Sequence, residues 1–178
     1  MMDHDIVAIK DTGLEQLRWA AGLTTGNESN MTLERAYINE HSPARTQIFR
    51  ITMLGIPTAS SVHLVRHKVW IEHFVKSNRP DRGGDGEATR RTPVNHGMFC
   101  NAITLINMAR SRLCCQASLE TRAIMEDVVR AVELVDPDLA KMMVPNCVYR
   151  NGLCKEKPSC GAKEGFMKRY AYYKELFL

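Results

Sequence analysis

The sequence predicts a single domain that contains both helices and strands. Its 178 residues match the usual length of one domain, about 100–200 residues, and no internal repeat or break in composition divides the chain. At residues 47–54, QIFRITML, apolar and polar side chains alternate with period two, which is typical of a strand with one solvated face. Elsewhere, apolar residues recur with the period of a helix.

Before this strand, the sequence predicts another strand and two helices. Residues 5–9, DIVAI, form a short strand candidate. The first helix begins at Thr12, whose spacing to Glu15 is that of a capping box, and it ends near Gly22. A second helix covers about residues 31–40, because the Ser-Pro pair that follows disfavours a helix.

The middle of the chain is predicted as one long helix followed by a long loop. The helix begins near Thr58 and carries the basic and aromatic sequence SSVHLVRHKVWIEHFVK. One interpretation gives this helix a solvated face and places Trp70 and Phe74 in the core. Residues 77–98 are rich in Gly, Pro and charge, and a loop of about 20 residues in a compact domain is usually functional or disordered. We therefore predict a mobile loop over 77–98.

The second half of the chain is predicted to be mainly helical. Residues 101–122, NAITLINMARSRLCCQASLETR, run from the end of one helix into the start of another. The next helix covers residues 120–134. Residues 145–165 are predicted to be irregular and contain three cysteines. The tail, GFMKRYAYYKELFL, is a candidate for a short amphipathic helix that docks on the domain or on a second subunit.

Composition and charge exclude several classes of protein. With 44% hydrophobic and 25% charged residues, the chain is typical of a globular domain. The net charge of +4 suits an anionic ligand such as a nucleotide phosphate, but it is too small to indicate nucleic-acid binding. No apolar run reaches about 18 residues, and the first ten residues are too polar for a signal peptide. We therefore expect a cytoplasmic protein without a membrane partner, whose six cysteines are mostly reduced.

Four potentially cationic residues crowd together in the middle of the chain. His63, Arg66, His67 and Lys68 lie within two turns of the predicted helix. Such groups repel one another unless an anion or a carboxylate lies among them. The cluster is either a solvated helix face or a site for a phosphate or a flavin.

Polar residues also interrupt the apolar helix that follows residue 101. At about 100° per residue, Asn101 and Arg112 share one stripe, while Asn107 lies on a different side. A helix that is apolar on several sides is usually buried, so these groups need partners. Three interpretations are possible. The polar groups form hydrogen bonds with nearby backbone, Arg112 pairs with a carboxylate such as Glu120, or the polar groups line one wall of a ligand site. In the last case the amides contact a flat heterocycle and Arg112 contacts an anion or a developing negative charge.

Several signatures of catalytic and metal sites are absent. The chain has no GxxxxGK[ST] loop, no GxGxxG and no HExxH. Cys147, Cys154 and Cys160, at spacings of seven and six, do not form CxxC pairs, and a zinc site needs a fourth ligand that the spacing does not identify. We therefore predict no metal and reduced thiols. Cys114 and Cys115 are more typical of small core residues than of nucleophiles.

Two motifs resemble the flavin-dependent (alternative) thymidylate synthases. They are His63-Leu-Val-Arg66-His67-Lys68 and Asn101-Ala-x-Thr-Leu-x-Asn107-x4-Arg112-x4-Ala117-x2-Glu120. Members of that family have an arginine-histidine-arginine triplet at the end of one helix, and a later helix carries asparagine, asparagine and arginine at these spacings. Weaker similarity extends upstream through LRWAAGLT and SPARTQIFRITMLGIP. The resemblance implies an α+β fold with helices around a small antiparallel sheet, and a homotetramer whose active sites combine residues from several subunits.

The resemblance also implies a reaction and a set of site residues. The residues implied to bind FAD are Arg66, His67, Lys68, Asn101 and Asn107. The residues implied to bind the nucleotide are His63, Arg66, Ser77, Arg79 and Arg112. Arg112 is implied to be catalytic, because it contacts the uracil ring and favours its anionic form. The reaction implied is the reductive methylation of dUMP to dTMP with methylenetetrahydrofolate, FAD and NADPH.

The sequence departs from the family pattern between the two motifs. Lys68 stands where the family has a third arginine, and a lysine lacks the planar fork of a guanidinium. Of the residues that normally follow the triplet, only Ser77-x-Arg79 is matched, with one residue inserted. The segment that normally brings a further nucleotide-binding arginine is missing, and Arg90 or Arg91 is the candidate substitute. Two alternatives follow: an enzyme that modifies C5 of another pyrimidine nucleotide, or a non-catalytic nucleotide- or flavin-binding homologue.

Overall fold

The computed structural model describes residues 4–84 and 86–178. Its strands are β1 (Asp5–Lys10), β2 (Ile48–Pro57), β3 (Ile71–Val75) and β4 (Pro93–Asn101). They form one antiparallel sheet in the order β1-β2-β4-β3. Because β4 lies between β2 and β3, the last strand in sequence is central in the sheet.

The helices of the described residues cover one face of this sheet. They are α1 (Leu14–Thr25), α2 (Leu33–Ile38), α3 (Thr58–Val65), α4 (Ala102–Arg112), α5 (Leu119–Glu133), α6 (Pro137–Met142), α7 (Asn146–Tyr149), α8 (Lys163–Arg169) and α9 (Tyr172–Glu175). Short 3-10 turns cover Ser42–Thr46 and Pro80–Arg82. This arrangement confirms the predicted single-domain α+β fold with a small antiparallel sheet.

The predicted alternation of β2 separates the two faces of the sheet. Phe49, Ile51 and Met53 are fully buried beneath the helices, while Arg50 and Thr52 between them are exposed. Successive side chains of a strand point to opposite faces, so period two places the first three in the core. The strand with one solvated face is therefore confirmed. The strand predicted at 5–9 is confirmed as β1.

The long helix predicted from Thr58 is wrong in its second half. α3 ends at Val65, and Ile71–Val75 is the edge strand β3. Between them, Trp70 has a positive φ of 57°, a conformation that ends a helix. Trp70 and Phe74 are exposed rather than in the core. Ile71 and Phe74 fit a helix and a strand about equally well, and pairing with β4 selects the strand.

The predicted loop over 77–98 is also too long. Residues 93–98 belong to β4, so the loop ends before Pro93. A period-two burial pattern is present there, because His96 and Met98 are buried while Asn95 and Phe99 are exposed. The proline at its start and the glycine in its middle concealed this strand. The mobility of the remaining loop stays a prediction.

The prediction that Asn101 shares a helix stripe with Arg112 is wrong, because Asn101 is not on a helix. It is the last residue of β4 and the N-cap of α4. The next helix, predicted over 120–134, is confirmed as α5. The first helix, predicted from Thr12 to near Gly22, begins after Gly13 and ends at Thr25. At its start, the Gly13 N–H donates a hydrogen bond to the side-chain oxygen of Gln16.

The segment predicted as irregular, 145–165, contains the short helix α7 and the start of α8. The tail forms two short helices instead of one, and Phe166 and Tyr173 bury its apolar side against the domain. No helix of the described residues is long and apolar enough to cross a membrane.

Candidate active site

Two segments that are distant in sequence meet at one corner of the sheet. β3 pairs with β4 so that Ile71 lies opposite Cys100. The turn over residues 66–70 leads into β3, and antiparallel pairing therefore places it beside the end of β4 and the first turn of α4. The two sequence motifs are adjacent for this reason.

A cavity of about 470 Å³ lies at this corner. Small-molecule sites usually have volumes of about 300–1,000 Å³. The cavity is lined by every residue that the resemblance assigns to flavin, namely Arg66, His67, Lys68, Asn101 and Asn107. Its other lining residues are Arg45, Val69, Trp70, Ile103 and Thr104.

The lining of the cavity is positively charged. Arg45, Arg66 and Lys68 contribute three cations, and no Asp or Glu of the described residues lines it. Cations that share a surface without acidic partners repel one another, so an anion bound between them is favoured. The cavity therefore suits a ligand that carries phosphate groups.

Asn101 caps α4 and lines the cavity at the same time. Its Oδ1 accepts a hydrogen bond from the Thr104 N–H at 2.9 Å, which is the usual N-cap geometry. The Thr104 hydroxyl lies 3.1 Å from that oxygen and 3.0 Å from the carbonyl oxygen of Val69, so it ties the 66–70 turn to α4. Because its oxygen is occupied, Asn101 can offer a ligand only its amide N–H groups.

Asn107 is oriented by an arginine on its own helix. Its Oδ1 accepts a hydrogen bond from Nη1 of Arg110 at 3.1 Å. Arg110 is buried, forms an ion pair with Glu40 and lies over the ring of Tyr149, 3.4 Å from the ring centroid. A guanidinium can only donate, so it fixes the amide oxygen of Asn107 towards itself. Asn107, like Asn101, therefore has its N–H donors left for a ligand.

Arg112 is connected to the cavity by a hydrogen bond to His67, one of its lining residues. Its Nε donates a hydrogen bond to Nε2 of His67 at 3.0 Å. Burial lowers the pKa of His67 to about 4, and the charges of Arg112 and His73 add to this effect. The ring is therefore neutral at pH 7 and carries its proton on Nδ1. No acidic side chain of the described residues pairs with Arg112, so the alternative of an ion pair with Glu120 is not observed.

A chain of hydrogen bonds supports the 66–70 turn. His73 Nε2 lies 2.9 Å from the carbonyl oxygen of His67 and must donate to it. His73 Nδ1 then accepts from His96 Nε2 at 2.9 Å, and His96 Nδ1 accepts from the Ser61 hydroxyl at 2.9 Å. In the neutral form of His73, the carbonyl oxygen thus fixes every proton position along the chain. Burial, followed by the charge of His73, lowers the pKa of His96 to about 4, so this ring is also neutral at pH 7.

A second group of cations lies next to the cavity, around His63. His63 Nδ1 is 2.8 Å from the hydroxyl oxygen of Thr121 on α5. Burial lowers the pKa of His63, and the charges of Arg112, Arg66 and Arg90 lower it further. The structure therefore brings together His63, Arg66 and Arg112, which the resemblance assigns to the nucleotide.

Arg90 was one of two candidates for the missing arginine, and its position is fixed by the backbone. Its carbonyl oxygen accepts a hydrogen bond from the Ala59 N–H at 3.0 Å, at the start of α3. This contact holds the end of the loop against α3 and places the Arg90 charge near His63. Arg90 is therefore the better candidate of the two.

Comparison with known proteins was made by sequence and by fold. No family model matches this chain. Over 71 residues it is 39% identical to the flavin-dependent thymidylate synthase of Clostridium tetani, a match that covers 39% of this chain and 28% of that protein. The matched part thus spans about a quarter of the relative's length.

Two solved structures resemble about three quarters of this chain in fold. Thymidylate synthase X of Helicobacter pylori, solved with FAD and dUMP, has a TM-score of 0.58 at 14% identity, over 77% of this chain and 100% of that chain. The UMP/dUMP methylase PolB of Streptomyces cacaoi, bound with 5-Br dUMP, has a TM-score of 0.62 at 12% identity, over 79% of this chain and 94% of that chain. This chain has the flavin-dependent thymidylate synthase fold. The predicted resemblance is therefore confirmed.

Two residues that the thymidylate synthase resemblance assigns to the nucleotide lie elsewhere. Ser77 and Arg79 follow the far end of β3, where Val75 pairs with His96, so the length of the strand separates them from Asn101. Arg79 is exposed and donates two hydrogen bonds to Asp81, at 2.9 and 2.8 Å. Within one chain they do not reach the cavity, and their role stays a prediction that requires a second subunit.

Sequence reasoning assigned no ligand role to the other five residues of the cavity. Arg45 comes from a 3-10 turn distant in sequence and lies in the weaker upstream similarity, which gave it no role. Trp70 is 70% exposed and has a positive φ, which costs about 1–3 kcal/mol for a residue that is not glycine. Thr104 belongs to the second motif and follows Asn101 by three residues, the N-cap spacing. An aromatic residue next to a basic cluster was the available signal for Trp70.

The neutral histidines predict a loss of stability in acid. The pKa values of His67 and His96 are lower in the folded state than the ordinary value of about 6.5, so the unfolded chain binds more protons. Their contribution to stability is complete above about pH 6.5 and is lost as the pH falls towards 4. We expect the free energy of unfolding to fall by on the order of 2 kcal/mol for each histidine across this range.

Urea unfolding at several pH values measures this effect. His96→Gln should flatten the slope of stability against pH between about 6.5 and 4. His41→Gln serves as the matched control, because the His41 side chain is exposed and lies outside the hydrogen-bonded chain. An unchanged slope in His96→Gln would contradict the assignment of His96 as neutral.

Proposed function

We propose that this chain is a flavin-dependent thymidylate synthase that methylates dUMP to dTMP, with FAD as cofactor and methylenetetrahydrofolate and NADPH as co-substrates. The observation that carries the proposal is the single cavity lined by both sequence motifs. The matched relative covers only part of the chain, so the activity rests on this geometry together with the fold. A cytoplasmic location belongs to the same proposal.

The residues of the cavity fit a flavin dinucleotide. Arg45, Arg66 and Lys68 suit its diphosphate, because cations without acidic partners favour an anion. Asn101 and Asn107 have N–H donors available, which suit the oxygen and nitrogen acceptors on the rim of an isoalloxazine ring. When bound, reduced flavin supplies the hydride of the reaction, while methylenetetrahydrofolate supplies the carbon.

His63, Arg66 and Arg112 support binding of the pyrimidine nucleotide beside the flavin. Arg112 uses Nε on His67, which leaves Nη1 and Nη2 for a ligand. A guanidinium held in this way stabilises negative charge on the pyrimidine ring when N3 loses its proton and C5 becomes nucleophilic. The neutral His67 keeps Arg112 in place without cancelling its charge.

A second candidate substrate is another pyrimidine nucleotide, such as UMP. Two observations favour it: the sequence lacks the family pattern after Lys68, and the fold matches a UMP/dUMP methylase as well as a thymidylate synthase. The test is to incubate the purified protein, FAD, NADPH and labelled methylenetetrahydrofolate separately with dUMP, UMP and dCMP. Label transfer to dUMP alone supports the first proposal, transfer to another nucleotide supports the second, and no transfer by flavin-loaded protein contradicts both.

We also propose that the chain is a homo-oligomer, a tetramer by resemblance. The face of the sheet opposite the helices carries exposed apolar side chains: Val7, Ile9, Leu54, Phe74 and Phe99. Register places them on one face, since residues that pair directly across strands point the same way. A sheet face with this many exposed apolar side chains favours a protein partner, and a second copy of this chain could also bring Ser77 and Arg79 to the nucleotide.

Flavin binding is tested by removing the two amides. The double variant Asn101→Ser, Asn107→Ala should lose bound flavin while it stays folded, because serine also caps a helix and only the amide donors disappear. The flavin absorbance per folded protein is the measurement. Asn39→Ala, at an exposed asparagine outside the cavity, is the control and should keep its flavin. Full flavin content in the double variant would refute the assignment.

Arg112 is tested by comparison with Arg110 on the same helix. Arg112→Ala should lower turnover about a hundred- to a thousandfold, roughly 3–4 kcal/mol, with a smaller effect on dUMP affinity. Arg112→Lys should not restore turnover, because an ammonium lacks the fork that reaches both His67 and a pyrimidine. Arg110→Ala should instead lower the melting temperature, because it leaves the Glu40 carboxylate without its buried partner, and it should also weaken flavin binding, because it releases the amide of Asn107.

Turnover per folded, flavin-loaded molecule should fall in Arg112→Ala and not in Arg110→Ala only if Arg112 acts in the reaction. Melting temperature, dUMP affinity and NADPH-driven dTMP formation are measured on each variant. If Arg112→Ala melts low but turns over normally per folded molecule, Arg112 is structural and the nucleotide site lies elsewhere.

Assembly is tested on the exposed face of the sheet. The double variant Phe74→Lys, Phe99→Lys should reduce the molar mass measured by light scattering, since charges placed in a buried apolar interface are strongly unfavourable. Leu23→Lys is the control, because Leu23 is exposed on α1 outside this face of the sheet, and the change should leave the assembly unchanged. A monomer with full flavin content in the unaltered protein would contradict the oligomer.

A further inference from the structure

Four of the six cysteines line one cavity at the opposite end of α4. They are Cys114, Cys147, Cys154 and Cys160, and the cavity has a volume of about 250 Å³. All are free thiols in the structure. Cys114 follows the end of α4, Cys147 is in α7, and the other two lie on the segment before α8. Three separate elements thus supply thiols to one place.

The fifth thiol nearby, Cys115, has a different environment. Its Sγ accepts a hydrogen bond from Nη1 of Arg122 at 3.2 Å, and it lines a separate cavity on the other side of residue 115. Cys115 also lies close to Cys160, and Cys114 is close enough to Cys154 and Cys160 for charges on these groups to interact. Of the two adjacent cysteines, Cys114 is the one that shares a cavity with the three later cysteines.

The segment that carries Cys154 and Cys160 lacks an apolar anchor. Residues 153–161 are all exposed, and Leu153 is 73% exposed. A hydrogen bond from Gln116 Nε2 to the carbonyl oxygen of Pro158, at 3.0 Å, connects it to the end of α4. Ordering nine exposed residues costs conformational entropy that one exposed hydrogen bond does not offset. Another interaction must hold this segment against the domain.

Cations outnumber acidic residues around the four thiols. Arg110, Arg112, Lys155 and Lys163 line the same cavity, while Glu156 is the acidic residue among its lining. A metal ion bound by four thiolates carries a net negative charge that these cations would offset.

We propose that Cys114, Cys147, Cys154 and Cys160 form a structural zinc site that fastens residues 147–160 to the end of α4. Zn²⁺ takes four thiolates in tetrahedral geometry, with Zn–S distances of about 2.3 Å. Cys114 is the fourth ligand that the spacing of the other three could not identify. Among the described residues no three side chains are already grouped closely enough to hold an ion, so binding draws the exposed segment inward onto Cys114.

The site begins two residues after Arg112, whose side chain also lines the cysteine cavity, and its proposed role is structural. Closing it would hold the segment 150–162 in place and support the docking of α8 on the domain through Phe166. Its loss should loosen this part of the chain and leave the sheet and the flavin cavity intact.

The test uses untagged full-length protein produced with added zinc. Elemental analysis should find one zinc per chain, and exchange for Co²⁺ should give thiolate-to-cobalt charge transfer and the visible bands of a tetrahedral ion. Cys154→Ser and Cys160→Ser change exposed residues, so they should fold and yet lose zinc. Cys100→Ala is the matched control, because Cys100 is buried in β4 and should leave the zinc content unchanged.

Limited trypsin digestion gives a second measurement that does not depend on flavin or turnover. Lys155 lies on the exposed segment, and removal of zinc by a chelator should accelerate cleavage after it at least about tenfold. Protein that binds no zinc or Co²⁺, that contains disulfides among these four cysteines, or whose cleavage rate does not respond to the chelator would overturn the proposal. Zinc retained in both serine variants would overturn it as well.

Discussion

The antiparallel pairing of β3 with β4 is the constraint on which the candidate site depends. This ladder places the turn after α3 next to the residue that starts α4, although a long loop separates them in sequence. The Thr104 hydroxyl then joins the Val69 carbonyl to the Asn101 cap. If the ladder slipped by one residue, His73 would turn to the other face and leave the His67 carbonyl, because side chains alternate along a strand.

The charges of the site follow from this arrangement. The chain of Ser61, His96 and His73 holds protons in fixed positions, and it ends on the backbone of His67. His67 stays neutral and accepts from Arg112, so the guanidinium is oriented without being neutralised. An acidic partner would orient it equally well but would cancel the charge that an anionic ligand needs.

The two ends of α4 contribute to different sites. Its first turn presents Asn101, and later Asn107, to the flavin cavity. Its last turn carries Arg112 towards His67 and leads to Cys114, the proposed anchor for the exposed cysteine segment. Arg110, which is buried between them, ties the helix to Glu40 and Tyr149 and fixes its rotation.

The sequence by itself determined the α+β class, the strand β2 with one solvated face, and the two motifs that predict a flavin site. These features depend on local period and spacing, which can be recognised in the sequence without knowledge of the tertiary structure. Only the tertiary structure decided that residues 71–75 form a strand, since the short apolar run fits helix and strand alike and pairing with β4 selects between them. The same holds for Arg45, Trp70, Arg90 and the grouping of the four cysteines. Each reaches its position through contacts between elements distant in sequence, and such contacts leave no local pattern.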